Sequence, residues 1–258
     1  MKGFPMRRVS LAAVLLCLSQ PVIAAPPPAS VNVAAAVSSE NRTPDNVKLD
    51  ESRKPAEVLN FLGLRKGMKV LDLLGSNKYW AEITAPVVGP TGHVDVWDVT
   101  QFTDADGKKA FDEFAARQKN VSLTLAPFEK PDFGKNRYDL AIFNLNYHDV
   151  YWTSEKYKVV KMDPDAWLKT LYAAMKPGGI VGVIDHVANP NSDTRATVDR
   201  LHRIDPEVVK ADFKRAGFEV VATSDILRNP ADDHNLLVFD PKIRGKTDRA
   251  VFKFRKPL

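Results

Sequence analysis

Apolar positions along this chain alternate between a helical and a strand period. Over residues 50–64, Val58, Leu59, Phe61 and Leu62 share one helical face, closed by Gly63. Lys66-Gly67 then turns the chain into an apolar strand over 69–74 that ends at a tight turn on Gly75. A helix with Trp80, Ile83 and Val87 on one side follows and stops at Gly89-Pro90-Thr91-Gly92. Residues 93–97 read as a second strand ending on the acid Asp98, and residues 107–118 as a helix with Ala110, Phe111, Phe114 and Ala115 inward. Residues 121–125 alternate as a third strand.

The second half repeats the alternation. Residues 138–143 form a near-continuous apolar run, the mark of a central parallel strand buried on both faces. Asp163-Pro164 and Asp205-Pro206 each pair an N-cap acid with a proline at the first helical position. The first of these helices buries Trp167, Leu168, Leu171, Tyr172 and Met175, and the turn Lys176-Pro177-Gly178-Gly179 leads into a fifth strand over 180–184. The second carries Val209, Phe213 and Ala216 to a C-cap at Gly217, before a sixth strand over 218–224. Residues 189–203 read as a polar, mobile stretch, and 236–239 with 250–254 as a terminal hairpin-like pair. Strand and helix alternation predicts an α/β fold: one doubly wound, mostly parallel sheet whose ligand edge lies at the carboxyl ends of the strands. That edge collects residues 75–79, Asp98, 127–132, 144–149 and Asp185-His186.

The N-terminus carries a different pattern. Lys2, Arg7 and Arg8 precede an apolar run over 9–18 and the small residues Val22-Ile23-Ala24, the layout of a signal peptide over 1–24. The run is too short for a good transmembrane span, and Cys17 follows Leu15-Leu16 instead of the small residues that a lipid-attachment site needs. Residues 25–48, rich in Pro, Ala, Ser and Asn, read as a flexible linker to a single domain over 49–258. Removing the leader takes away three basic residues and no acid, so the formal charge falls from +5 to +2. That weakens any case for a nucleic-acid partner. The only cysteine leaves with it, which excludes disulfides, Cys-ligated zinc and thiol chemistry in a periplasmic or secreted protein. Oligomeric state is not legible in the sequence.

The run Val70-Leu71-Asp72-Leu73-Leu74-Gly75, with Val88-Gly89-Pro90-Thr91-Gly92-His93-Val94 and Asp98, resembles the first two motifs of class I S-adenosylmethionine-dependent methyltransferases. Lys176-Pro177-Gly178-Gly179 and Arg215-Ala216-Gly217-Phe218 are similar to the family's later turns. The resemblance spans roughly residues 50–255. More narrowly, Asn146-Tyr147-His148-Asp149, Leu227-Arg228-Asn229-Pro230 with Asp232-Asp233-His234, and Thr247-Asp248-Arg249 resemble a bacterial group of exported methyltransferase-like proteins. The resemblance implies a Rossmann-like, seven-stranded sheet and S-adenosylmethionine as cofactor. It implies that Asp72 binds the cofactor's ammonium, that the Gly75 turn admits its methionine part, and that Asp98 accepts from its ribose. Ser76, Tyr79 and Asn144 fall at the same edge, and Phe128 with Asp132 would meet the adenine. Where the family carries further glycines, this chain has Ser76-Asn77-Lys78, and a lysine at a helix N-terminus suits a negatively charged group better than a sulfonium.

The candidate chemistry centres on the loop after the fourth strand. Asn144-Leu145-Asn146-Tyr147 has the spacing of the Asn-Pro-Pro-Tyr motif of amino-group methyltransferases without its prolines. His148 is the candidate general base, because an imidazole titrates near neutral pH, with Tyr147 beside it. Asn146, Asp149 and His186 are the candidate substrate contacts. On extended chain His148 and Asp149 point apart, so Asp149 is not expected to orient His148. A metal site from His148, Asp149, Asp185 and His186 lacks any close histidine spacing, and none is predicted. His202, Arg203, Asp233 and His234 would shape a substrate mouth. Trp80, Trp97, Trp152 and Trp167 read as core, and Lys156, Lys158 and Lys161 as a solvated face. The expected function is methyl transfer to a small molecule by an exported enzyme. The alternative is an exported, non-catalytic ligand-binding protein on the same scaffold.

Overall fold

The computed structural model describes Met1, residues 32–190 and residues 193–258. All of the expected leader except Met1, Cys17 included, lies outside the described residues. Seven strands form one sheet: β1 Lys69–Leu73, β2 His93–Val99, β3 Val121–Ala126, β4 Tyr138–Asn144, β5 Met175–His186, β6 Glu219–Ser224 and β7 Arg249–Arg255. Their order is β3-β2-β1-β4-β5-β7-β6. β7 runs antiparallel to both neighbours, and the other pairings are parallel. The chain winds outward from β1 to β3, then crosses back to place β4 on the other side of β1. This reversal opens a crevice above the carboxyl ends of β1 and β4.

The two-residue period of the central strands sorts their side chains into two cores. Leu71 and Leu73 of β1 and Ala141 and Phe143 of β4 join one. It also holds Trp167 and Leu171 of helix α7 (Pro164–Ala174) and Val209 and Phe213 of α9 (Pro206–Arg215). Val70, Leu140 and Ile142 join the other, beneath α4 (Pro55–Leu62) and α5 (Tyr79–Val88). Gly182 on β5 lets α4 approach, since a Cβ there would lie 2.4 Å from Leu62 Cδ1. Gly182→Val should therefore lower unfolding stability by about 1–3 kcal/mol through overpacking, read as a shifted urea midpoint; an unchanged midpoint would show that α4 has room to give.

Four expectations are corrected. The helix expected over 50–64 breaks into α3 (Asp50–Arg53) and α4, with Lys54 left-handed at φ 43°. Pro55 brings no N–H to continue a helix and disfavours αR at the residue before it. From Asn32 onward the expected linker is a packed arm, with α1 (Val33–Val37) burying Val33 and Ala36 and α2 (Pro44–Val47) burying Asn46. Its polar side chains are committed: Thr43 Oγ1 and Asn46 Nδ2 both donate to Glu82 of α5. The stretch expected to be mobile contains α8 (Thr194–Leu201), capped by Asp193 and anchored by Val198 and Leu201. Residues 236–239 form no strand, and 249–255 instead insert between β5 and β6. Among the described residues no helix is long and apolar enough to cross a membrane.

Candidate active site

The crevice between β1 and β4 holds a cavity of about 140 Å³ lined by Arg53, Asp72, Leu73, Leu74, Gly75, Asn77, Trp80, Asn144, Leu145 and Asn146. Asp72 is 1% exposed, and its Oδ2 has no hydrogen-bond partner within the protein. The indole Nε1 of Trp80, on the same cavity, is likewise buried without an acceptor. Burial, reinforced by the Asp98 charge, pushes the Asp72 carboxyl up to about 8, against the pull of the Arg53 guanidinium. Gly75 is required here for space: a Cβ would sit 2.4 Å from the Asp72 carboxylate.

The strained residues of the turn are not glycines. Leu74 and Lys78 adopt φ 54° and 69°, each at a cost of about 1–3 kcal/mol. The turn holds this shape through Leu74 N donating to Trp97 O at 2.7 Å and Ser76 N donating to Asp98 Oδ2 at 2.8 Å. Asp98, at the end of β2, is 4% exposed, and its other oxygen accepts from Val99 N.

Arg53 is a site residue that sequence reasoning missed. It closes α3 and lies over the Tyr79 ring at 4.2 Å. Burial lowers its pKa from the ordinary arginine value, while Tyr79, Asp72 and Asp50 oppose the shift. Tyr79 itself is corrected: it is fully buried, donates to Asp50 Oδ1 at 2.7 Å and supports Arg53 without lining the cavity. Asp50 also pairs with Arg42 of the N-terminal arm.

Beyond Asn146, residues Tyr147–Val150 wind into one 3₁₀ turn. This brings His148 and Asp149 together, with Nε2 to Oδ1 at 3.3 Å, where an extended chain would have parted them. Asp185 at the end of β5 orients His148: its Oδ1 meets Nδ1 at 2.7 Å and its Oδ2 accepts His148 N at 2.8 Å. Burial draws the His148 pKa down, but Asp185 and Asp149 outweigh it and raise it to about 9. Tyr147 is corrected from a catalytic residue to a core one, since its hydroxyl donates to Asp212 Oδ2 at 2.6 Å in a fully buried setting. His186 bonds Thr247 Oγ1 at 2.7 Å, and burial, aided by the His148 and Arg249 charges, holds it well below the ordinary histidine value. Phe128 is 0% exposed among Trp97 and Trp167, and Asp132 accepts Gly134 N on an exposed turn. Phe128 therefore has no free face for the expected adenine contact, whereas the Asp132 carboxylate is open to solvent.

The polar residues of the expected mouth divide. Arg203, 0% exposed, forks onto Asp232 at 2.8 and 3.0 Å and also donates to the carbonyls of Val187 and Leu236. Asp248 ties in Arg228 and His234 at 2.8 and 3.0 Å. These groups clamp the loops before β7. His202, at the end of α8, instead reaches the His148 centre. Around it stand Trp152 and Phe239, with ring centroids at 5.1 and 5.2 Å, and Phe102 and Tyr157 continue the line of rings beyond Trp152. Trp152 is thus a half-buried rim residue, while Trp97 and Trp167 are core and the buried Trp80 also lines the cavity.

The strand order, with its antiparallel seventh strand and its cavity at the β1–β4 reversal, is that of the class I S-adenosylmethionine-dependent methyltransferase fold. An S-adenosylmethionine-dependent methyltransferase from Aquifex aeolicus superposes with a TM-score of 0.55 at 18% identity, over 82% of this chain and 93% of that one. Burkholderia thailandensis 1,6-didemethyltoxoflavin-N1-methyltransferase, solved with bound 1,6-didemethyltoxoflavin and S-adenosylhomocysteine, gives 0.53 at 16% identity over 88% and 85%. In sequence, 128 residues are 28% identical to the ubiquinone/menaquinone biosynthesis C-methyltransferase UbiE of Haemophilus ducreyi, covering 50% of this chain and 45% of that relative. The chain spans about half the length of the curated relatives it matches. No family model matches it.

Proposed function

We propose that this protein is an exported enzyme that transfers a methyl group from S-adenosylmethionine to a flat, largely apolar small molecule. The observation that carries the reading is the pair of orphaned polar atoms, Asp72 Oδ2 and Trp80 Nε1, in one small cavity with Arg53 at the sheet's reversal point. Buried polar groups demand partners. An amino-acid ligand supplies both: an ammonium for Asp72 and a carboxylate for Trp80 and Arg53. Asp98 sits at the neighbouring strand end, where its carboxylate can accept from a ribose diol. When bound, S-adenosylmethionine supplies an electrophilic methyl group on a sulfonium.

The protein's part is to place the reactants and exclude water. The exposed rings of Phe102, Tyr157 and Phe239, at 40%, 43% and 52%, suit a planar acceptor. His148, held by Asp185 two residues beyond Asn146, supplies a nitrogen that can take the acceptor's proton once the ring is neutral, toward alkaline pH because Asp185 and Asp149 raise its pKa to about 9. The relative UbiE is named as a C-methyltransferase of quinone biosynthesis, which accords with an aromatic acceptor. Export rests on the leader pattern of Lys2, Arg7 and Arg8 before the apolar run.

The second reading, a non-catalytic binding protein on this fold, draws on the cavity's size. At about 140 Å³ it is well below the roughly 300–1,000 Å³ of small-molecule sites, so a whole cofactor requires the crevice to widen. Titration of the leaderless protein with S-adenosylmethionine and S-adenosylhomocysteine by calorimetry separates the two. Saturable binding, weakened about 10- to 100-fold in Asp98→Ala, supports the enzyme. No binding of either at millimolar concentration overturns it.

A further inference from the structure

We propose that His148, Asp149 and His202 form a binding site for a divalent transition metal, with zinc the best fit. Three ligand atoms, two imidazole nitrogens and one carboxylate oxygen, lie at the corners of a nearly equilateral triangle. His148 Nε2 is 3.3 Å from Asp149 Oδ1, His202 Nδ1 is 3.4 Å from the same oxygen, and the two nitrogens are 3.4 Å apart. These spacings are long for hydrogen bonds between such groups, which centre near 2.7–3.0 Å; His148 makes one of normal length, 2.7 Å, to Asp185. They do match a tetrahedral metal: ligands held at about 2.0–2.1 Å and tetrahedral angles are about 3.3–3.4 Å apart. An octahedral ion at that radius would draw them to about 2.9 Å, which favours zinc over magnesium, as does the nitrogen-rich donor set.

The surroundings are those of a built site. His148 Nδ1 is held by the buried Asp185, the carboxylate–histidine pair that fixes tautomer and ring plane beside a metal. His202 is delivered by a left-handed backbone, φ 49° and ψ 49°, a conformation uncommon for a non-glycine residue and met where a side chain must be aimed. The side chains of His148, Asp149 and His202 are 3%, 12% and 15% exposed, enough for an ion to enter. Three protein ligands leave one tetrahedral position for water or substrate, the arrangement of catalytic zinc sites. Binding of the ion stands apart from methyl transfer. On the methyl-transfer reading, His148 would serve as a ligand instead of a base, and the ion would make a coordinated acceptor hydroxyl more acidic, its proton passing to solvent water.

The test uses the untagged protein stripped with a chelator. Calorimetry with zinc chloride should give one equivalent bound at micromolar Kd or tighter, and cobalt chloride should produce the strong visible absorption of a tetrahedral ion. His202→Ala and Asp149→Asn should each weaken binding at least 10-fold with far-ultraviolet dichroism unchanged. Asp185→Asn should weaken it about 10-fold through loss of orientation. His93→Ala, at a histidine paired with Ser122 on the far edge of the sheet, should leave it intact. The absence of stoichiometric binding, octahedral cobalt spectra, or binding indifferent to His202→Ala would overturn the site and leave a hydrogen-bonded trio. Because S-adenosylhomocysteine affinity is measured separately, failure here is distinct from failure of the methyltransferase reading.

Discussion

Replacing Asp72 with asparagine should cost the protein at least about 30-fold in affinity for S-adenosylhomocysteine, the loss of roughly 2 kcal/mol or more that follows removal of one partner from a desolvated charge pair. The same change should make the fold harder to unfold at neutral and alkaline pH. Asp72 is buried, has an unpartnered oxygen and titrates at about 8. Its folded pKa is raised above the unfolded value near 4, so its protonated form favours folding. That contribution is complete below pH 4 and is lost as pH rises through 8. The variant has no such dependence. Its stability relative to the parent should grow by about 1.4 kcal/mol per unit across that window, and parallel urea midpoints at pH 5 and pH 8 would refute the burial argument. Ligand affinity should trace a bell in pH. Below about 8 the carboxylate takes up a proton; above about 8 the ligand's α-amino group loses one. A maximum near pH 8, with limiting tenfold losses per unit on either side, is the expected calorimetric result, and Asp72→Asn should remove the acid limb.

Arg203→Met should be the most damaging single change to stability, on the order of 3–5 kcal/mol. The guanidinium is fully buried, bidentate on Asp232 and bonded to two carbonyls, so its loss strands a buried carboxylate. Asp232 also accepts Asp248 N and His234 N, which spreads the damage through the loops before β7. The double change Arg203→Met with Asp232→Leu should recover part of the loss, because an apolar pair no longer strands a charge. Urea unfolding of the four members of this cycle measures it. A single-variant loss below about 1 kcal/mol would mean that the pair is solvated in solution.

The sheet was readable where its signals are local. Val70, Leu71 and Leu73, like Leu140 to Phe143, put apolar side chains on both faces because both faces are covered, and Asp163-Pro164 and Asp205-Pro206 announce their helices through the N-cap bonds that form. Asp72, Gly75 and Asp98 were legible because a strand, a turn and a strand-end acid recur at a set spacing. What failed to show were pairings made across the chain. Nothing near Arg53 marks it as the cation facing Asp72, nineteen residues on. His202 looked like a loop polar residue because its role depends on a helix end meeting a 3₁₀ turn fifty-four residues earlier. Tyr147 seemed catalytic by its neighbours, yet its hydroxyl is fixed by Asp212 from α9. The insertion of β7 beside β5 is likewise a matter of partners, with no period to betray it.

The arm made of α1 and α2 bears on how the crevice breathes. Asn46 Nδ2 donates both to Glu82 and to the Asn77 carbonyl in the turn that lines the cavity, and Arg42 reaches through Asp50 to Tyr79, beneath Arg53. Fraying of the arm would therefore remove support from the turn and from the cavity's cation together, and hydrogen exchange should report the two as one unit. A ligand that orders the crevice should then slow exchange in the N-terminal arm, and loosening that arm should lower affinity at the carboxyl edge of the sheet by the same coupling.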